Sequence, residues 1–228
     1  AGALFAAEIV VGNFAVAQLS PIVISSVVAT VVSRFFLGNH PAFPVPDYQL
    51  VSPFELFPYM AVGVVAGFVA LAFIYCLFTT EEFFERTPVP EPLRAMLGGA
   101  LVGMIGIWFP QVFGVGYSSI WAALSGELGV ALLAALVLVK IAATSISICS
   151  GGSGGIFTPS LFLGAMTGGC LGSLIHQWFP DATASSGAYA LVTMGAVVAA
   201  ATHAPITAII MIFELTQTIT IIPPLMAA

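Results

Sequence analysis

Charged residues are scarce in this sequence of 228 residues. Lys and Arg together number 4, Asp and Glu number 10, and charged residues make up 6% of the chain against 60% hydrophobic residues. A soluble domain has about a quarter of its residues charged, so the composition excludes an ordinary soluble fold. The mean hydropathy of +1.12 is typical of a protein whose helices lie in a lipid bilayer.

Basic clusters and paired cysteines are also missing. Only 4 Lys and Arg residues are present, and they form no basic stripe, so we expect no nucleic-acid partner. The 3 cysteines, Cys76, Cys149 and Cys170, stand singly in apolar runs without CxxC spacing. This arrangement supports neither a disulfide framework nor a zinc site. We therefore predict no bound metal and no cofactor.

The beginning of the chain lacks an initiator Met. Its first eleven residues, AGALFAAEIVV, contain neither the basic region nor the cleavage signature of a signal peptide. They are typical of the middle of a helix, and the final residues, PPLMAA, also stop inside apolar sequence. We therefore expect this sequence to be part of a longer protein.

Long apolar runs fill most of the sequence and predict an all-α polytopic membrane protein. A helix needs about 20 apolar residues to cross the hydrocarbon core, and several runs reach that length. Others are too short, which membranes tolerate where protein covers the helix or a polar cavity adjoins it, as in transport folds. The runs predict helices at residues 1–11, 20–37, 54–80, 93–109, 116–125, 127–148, 157–178, 187–201 and 205–216.

Two connecting segments carry information on topology. Residues 38–53 contain four prolines and predict a loop, and the charged connector from Glu81 to Arg94 predicts a solvated loop. Because the connector contains Arg86 and Arg94, the positive-inside rule places it on the cytoplasmic side and the 38–53 loop outside.

Glycines recur at every fourth residue in two of the predicted helices. Gly164, Gly168 and Gly172 form one row, and Gly99 and Gly103 form another. Rows of small residues let helix backbones approach closely in lipid. Both rows therefore predict tight helix packing.

A weak internal repeat relates the beginning of the chain to a segment near its end. AGALFAAEI (1–9) and TAIIMIFEL (207–215) are both short apolar helices that end in Glu and an aliphatic residue. This predicts an inverted repeat, with 1–37 the end of the first half and 54–228 the second half, incomplete at its C-terminus. Glu8 and Glu214 are intramembrane acids by position, which suggests function, although structural carboxylates at helix ends fit equally.

A glycine-rich loop that leads straight into a long apolar helix is the most specific feature. It reads Ser-Gly-Gly-Ser-Gly-Gly-Ile-Phe-Thr-Pro (150–159). A helix start has N–H groups without intrahelical partners and a partial positive charge, so it binds anions. The expected donors are the amides of Gly155, Ile156 and Phe157. No Lys or Arg lies in the loop, and dipoles alone hold an anion weakly enough to release it.

Two other functions remain open from the residues alone. Gly151-Gly-Ser153-Gly is a GxSG string, as in intramembrane serine proteases, in which His176 or His203 would activate Ser153. A secondary transporter of organic anions would use the same helix-terminus logic. Against this alternative, the loop contains no Arg that could hold a carboxylate or phosphate.

The loop and its flanks together resemble one known family. GGSGGIFTPSL (151–161) resembles the GxFxP anion filter of the CLC chloride channels and transporters. APITAIIMIFELT (204–216) is similar to the late short helix of that family, and AGALFAAE is similar to its first-half counterpart. Lys140 also fits the family pattern, and we expect it to be a structural cation that satisfies carbonyls or an acid between helices.

The resemblance implies a function and a set of site residues. It implies transport of chloride or a similar small inorganic anion, without enzymatic catalysis, by a homodimer in the lipid bilayer in which each subunit has its own pore. The compact connectors suggest a prokaryotic form, in the plasma (inner) membrane. The filter loop would comprise Ser153, Gly154, Thr158 and Pro159 around the amides named above. The family's filter serine, gating glutamate and pore tyrosine match no residue here, and we expect them outside residues 1–228.

Proton coupling remains open. Proton-coupled members of the family often carry an inner glutamate at the position of Ile9, next to Glu8. An aliphatic residue there resembles the channel branch. It does not decide between a channel and a chloride/proton antiporter, because no residue here corresponds to the gating glutamate.

Overall fold

The computed structural model describes residues 2–11, 16–38, 53–180, 183–216 and 219–228. All regular secondary structure in these ranges is helical, which confirms the predicted all-α class. The α-helices are α1 (Gly2–Phe5), α2 (Val16–Leu37), α3 (Leu56–Arg86), α4 (Glu91–Trp108), α5 (Tyr117–Leu124), α6 (Val130–Cys149), α7 (Phe157–Trp178), α8 (Ser186–Thr202), α9 (Pro205–Thr216) and α10 (Ile222–Ala227). A π-helical segment continues α1 (Ala6–Val11), and 3₁₀ turns lie at Pro53–Glu55, Pro110–Val112 and Ile219–Ile221.

Four helices in the described ranges are long and apolar enough to cross a membrane. They are α3, α6, α7 and the Leu19–Leu37 part of α2. The shorter helices α8 and α9 are also apolar, and α8 has a largely buried surface. This combination of long and short apolar helices confirms the predicted polytopic membrane fold. The side of the membrane on which each loop lies stays a prediction.

Helices α7 and α8 form an antiparallel pair at the centre of the fold, and α3, α5, α6 and α9 pack around this pair. The glycine row of α7 faces α8. A Cβ atom at Gly164 would lie 2.7 Å from the Met194 amide nitrogen, and one at Gly168 would lie 2.7 Å from Ala190 Cα. At Gly172 it would lie 2.6 Å from Tyr189 Cβ. The tight packing predicted for this row is therefore confirmed.

The second glycine row does not pack as predicted. No described atom lies within 4 Å of a Cβ placed at Gly99 or Gly103. The neighbouring glycines of α4 make the contacts instead, since a Cβ at Gly98 would overlap Ser150 and one at Gly106 would overlap Phe113. The prediction was wrong for the described part of the chain because a four-residue spacing defines a row without saying which row of the helix meets a neighbour.

The charged connector is largely helical, contrary to the prediction. Helix α3 continues to Arg86, and α4 begins at Glu91. No Gly or Pro interrupts residues 81–86, and Arg86 pairs with Glu82 one turn earlier, an arrangement that supports a helix. Pro88 and Pro90 then end it. The other predicted loop, 38–53, lies outside the described residues from 39 to 52.

Glu55 is a buried acid that the sequence analysis missed. It directly precedes α3, and 1% of its surface is exposed. Its Oε1 accepts hydrogen bonds from the Ala184 amide at 2.6 Å and from the Tyr189 hydroxyl at 3.3 Å. Tyr189 also stacks on Tyr59 with ring centroids 4.5 Å apart. This network fixes the start of α8 to the start of α3.

Replacing Gly168 with Ala should weaken the packing of α7 on α8. The new methyl group would meet the backbone of α8, and overpacking of this kind costs about 1–3 kcal/mol. Gly169→Ala is the matched control, because its Cβ would lie at an ordinary 3.5 Å from Leu133 and it has the same gain in helix propensity. Thermal unfolding of the full-length protein in detergent should show a lower Tm for Gly168→Ala alone. Equal Tm values for the two variants would contradict the packing described here.

Candidate functional site

The loop between α6 and α7 begins with a turn that requires glycine. Gly151 has φ of +100°, which strains any residue with a side chain. The Gly152 amide donates to the Ser147 carbonyl at 3.0 Å, and a Cβ at Gly152 would overlap that same oxygen. The turn therefore ends α6, and residues 153–156 connect it to the start of α7.

The first amides of α7 have no hydrogen-bond acceptor within the described ranges. The earliest backbone bond of this helix start runs from the Ser160 amide to the Ile156 carbonyl at 3.1 Å. The amides of Gly155, Ile156 and Phe157 precede it, and Ile156 is 41% exposed. Unpaired amides at a helix start carry the positive end of the helix dipole. The structure thus presents the three predicted donors together; anion binding by them stays a prediction.

A cavity of about 460 Å³ adjoins this helix start. One wall is the loop and the first turn of α7, including Ser153, Gly154, Thr158 and Pro159. The opposite walls come from α6, from α4 and from the turn that follows α4. The residues contributed by these opposite walls are Val102, Val112, Phe113, Gly114, Val115, Lys140, Ala143, Thr144, Ser147 and Ile148.

Among the described residues, Lys140 is the one basic residue that lines this cavity. Only 4% of its surface is exposed. Its Nζ donates to the Val112 carbonyl at 2.7 Å and to the Gly114 carbonyl at 3.0 Å, and lies 4.8 Å from the centre of the Phe162 ring. Lys140 thus satisfies carbonyls between helices, as predicted.

Helix α4 supports the beginning of the loop. Gly98 lies against Ser150, the residue that follows α6, so closely that a Cβ at position 98 would overlap the serine side chain. Ser150 is buried, and its amide donates to the Ile146 carbonyl at 3.0 Å. The position of the loop therefore depends on close contact with α4.

Glu8 binds the start of another helix. Its Oε2 accepts hydrogen bonds from the Thr207 amide at 2.8 Å and from the Thr207 hydroxyl, so the carboxylate caps the first turn of α9. Phe5, from the same segment as Glu8, contacts Phe157 edge-to-face with ring centroids 5.6 Å apart. The first segment of the chain therefore contacts both α9 and the start of α7.

Ile9 and Glu214 are the two other positions that the sequence singles out together with Glu8. The side chain of Ile9 lies outside the described residues. Glu214 is exposed near the end of α9. The proton-pathway role predicted for Glu8 and Ile9 stays a prediction.

The two histidines proposed to activate Ser153 have other settings. His176 lies near the far end of α7, where its Nδ1 is 3.3 Å from the Thr183 hydroxyl. A helix rises 1.5 Å per residue, so about 30 Å separates His176 from the loop. His203 borders a different cavity, of about 420 Å³, together with Pro205 and Ala208. Within the described part of the chain neither histidine forms a hydrogen bond with Ser153, and nothing supports a protease.

The organic-anion alternative also lacks support. A carboxylate or phosphate is commonly held by the paired donors of Arg. In the described part of the chain, no Arg borders the cavity at the start of α7, and Lys140 is its single basic lining residue. The Lys140 side chain donates hydrogen bonds to two carbonyls.

Comparison with known proteins is consistent across the whole chain. A sequence family described as voltage gated chloride channel matches residues 1–228. The chain is 38% identical over 228 residues to a Ralstonia nicotianae protein described as a ClcB-like chloride channel protein. It is 34% identical over 231 residues to the voltage-gated ClC-type chloride channel ClcB of Escherichia coli strain K12 / DH10B.

These alignments cover 100% of this chain but 53% and 55% of the two relatives. The chain thus spans about half the length of the curated relatives it matches. Among solved structures, the crystal structure of a CLC-type fluoride/proton antiporter matches with a TM-score of 0.78, covering 98% of this chain and 55% of that chain at 19% identity. This last likeness shows a shared fold.

Replacing Gly98 with Ala should displace the start of the loop. The added methyl group would overlap Ser150 and cost about 1–3 kcal/mol. Gly99→Ala is the control, since no described atom lies within 4 Å of its Cβ. Hydrogen exchange followed by mass spectrometry should show faster exchange in residues 150–158 for Gly98→Ala than for Gly99→Ala. The same exchange rates in both variants would contradict the support assigned to α4.

Proposed function

Because this chain belongs to the voltage-gated chloride channel family, we propose that the protein moves chloride or a similarly small inorganic anion across a membrane. The observation that carries the proposal is the cluster of unpaired amides at the start of α7, next to a cavity of about 460 Å³. Gly155, Ile156 and Phe157 supply these amides, and the anion binds to their N–H groups.

Backbone amides suit an anion that must leave as readily as it enters. Each N–H carries only part of a charge, and the helix dipole adds the equivalent of about half a positive charge. Conduction needs binding that is favourable but weak, and a full charge in contact with the ion would hold it longer. The absence of Lys and Arg between Ser150 and Pro159 supports this mode of binding.

The remaining loop residues shape the site. Pro159 occupies the first turn of α7, where a helix has no use for its missing N–H. Ser153, Gly154 and Thr158 border the same cavity. In this proposal they set the width of the cavity and the direction of the amides, while the donors are backbone groups.

The organisation of the whole protein follows the family. We propose that residues 1–37 end a first inverted repeat and that 54–228 form most of a second one. The contacts of Glu8 with Thr207 and of Phe5 with Phe157 support a close association of the two repeats. We further propose that the protein is a homodimer in the inner membrane of a bacterium. Its partners are chloride and lipid, and its activity is transport rather than enzymatic catalysis.

Anion transport is tested with the full-length protein in liposomes loaded with chloride. Chloride efflux and external pH are followed together, with and without an ionophore that releases the membrane potential. Chloride movement that drives protons uphill identifies an exchanger, and chloride movement alone identifies a channel, as the aliphatic Ile9 favours. An absence of anion movement would overturn the proposal.

Removing the Phe157 N–H should weaken anion binding specifically. The variant replaces the amide between Ile156 and Phe157 with an ester, by incorporating the α-hydroxy analogue of Phe. A hydrogen bond to a charged group contributes about 1.5–3 kcal/mol, so the chloride affinity measured by titration calorimetry should fall about tenfold or more.

An ester at Ser160 is the matched control. The Ser160 amide donates to the Ile156 carbonyl, and the Phe157 ester weakens that same carbonyl as an acceptor. Both variants therefore weaken the bond from the Ser160 amide to the Ile156 carbonyl, and the Ser160 ester also weakens the Pro159 carbonyl as an acceptor, but only the Phe157 ester removes a proposed anion donor. Equal losses of affinity in the two variants would mean that the Phe157 amide does not bind the anion.

A further inference from the structure

Lys140 is a cation buried in a membrane-spanning helix, and no acidic partner for it lies among the described residues. It lies in the middle of α6, which is apolar enough to cross the membrane, and it is 4% exposed. Among the described residues no Asp or Glu forms an ion pair with it. Buried charges are expensive in a membrane interior and are normally paired or functional, so this residue needs an explanation that helix packing alone does not give.

The groups around the ammonium stabilise it without neutralising it. Two of its three N–H bonds are used by the Val112 and Gly114 carbonyls, and the Phe162 ring faces it at 4.8 Å. Carbonyl oxygens and aromatic faces attract a cation, but they carry no net charge. Within the described ranges, the positive charge of the ammonium is therefore not neutralised.

The acids nearest to α6 along the chain lie too far away to compensate. Glu127 precedes the helix and is exposed. Glu81 interacts electrostatically with Cys149, at the opposite end of the helix. Lys140 is 9 residues from Cys149 and 10 residues from Val130 in this helix. At 1.5 Å per residue, roughly 14 Å or more separates Lys140 from each end.

Gly155 and Phe157, two of the three residues whose amides have no backbone acceptor among the described residues, border the same cavity as Lys140. A full charge and the positive end of a helix dipole therefore act on the same volume. We infer that Lys140 is the fixed positive charge of this anion cavity and that the transported anion is its counter-ion. This inference rests on the proposed function and adds a residue that determines anion affinity from outside the filter loop.

Lys140 acts over a distance in this arrangement. Its two carbonyl bonds hold the ammonium against the Val112–Gly114 turn, and the anion binds at the amides of the loop. The charge raises the concentration of anions in the cavity and opposes the entry of cations. Lys140 is a positioning residue for the turn as well, so the test must separate the charge from the hydrogen bonds.

Three substitutions at position 140 make that separation. Lys140→Arg keeps the charge, Lys140→Gln removes the charge but keeps N–H donors for the two carbonyls, and Lys140→Met removes both. At an effective dielectric constant of about 20, a unit charge several ångströms away changes the binding constant of an ion about tenfold. Titration calorimetry with chloride on the full-length protein should show a loss of about tenfold for Gln and Met, and near wild-type affinity for Arg.

A second pair of variants covers the case in which the position-140 variants do not fold. Thr144 lies one helical turn from Lys140 and borders the same cavity. Thr144→Glu places an acid at the i, i+4 position, which neutralises Lys140 without removing it. Thr144→Gln adds the same bulk without charge. Chloride affinity should fall about tenfold further for Glu than for Gln.

The outcomes distinguish this inference from the proposed function. Wild-type affinity in Lys140→Gln together with a loss in Lys140→Met would make Lys140 a structural anchor only and would overturn the inference. Equal affinities in Thr144→Glu and Thr144→Gln would overturn it as well. A wild-type protein that neither binds nor transports chloride would refute the proposed function itself, before any variant is compared.

Discussion

Hydrocarbon cannot form hydrogen bonds, so a chain in a membrane must pair its backbone polar groups internally. Helices do this everywhere except at their ends. In the described part of this protein the start of α7 is such an end: the amides of Gly155, Ile156 and Phe157 have no backbone acceptor there, and Gly155 and Phe157 border a cavity. A site of this kind needs no specialised side chain, because its affinity comes from a backbone whose pairing is incomplete.

An open helix start is useful only if the helix is held in place, and the packing of α7 and α8 does this. The glycines of α7 bring the two backbones so close that a methyl group at Gly164 or Gly168 has no room. At the far end of the pair, buried Glu55 joins the start of α8 to α3. At the near end, Ser150 lies against Gly98 of α4. The amides therefore belong to a rigid frame rather than to a free loop.

Glycine and proline residues in the sequence predict where the helices that form this frame begin and end. The glycine-rich segment and Pro159 define a helix at 157–178, and the structure has it from Phe157 to Trp178. Features that depend on distant partners escape prediction. Glu55 accepts hydrogen bonds from Ala184 and Tyr189, and no local sequence pattern predicts contacts with such distant residues. The same holds for α4, where the packed glycines are Gly98 and Gly106 although the regular spacing favoured Gly99 and Gly103.

Lys140 shows how a full charge and weak binding are compatible in the proposed mechanism. Coulomb energy falls only as the inverse of distance, whereas a hydrogen bond is lost beyond about 3.5 Å. A cation that two carbonyls hold away from the loop can therefore lower the energy of an anion throughout the cavity. It does not add a contact that must break when the ion leaves. Different groups are thus responsible for attraction and release: the lysine raises the concentration of anions in the cavity, and the amides bind each anion weakly at one place.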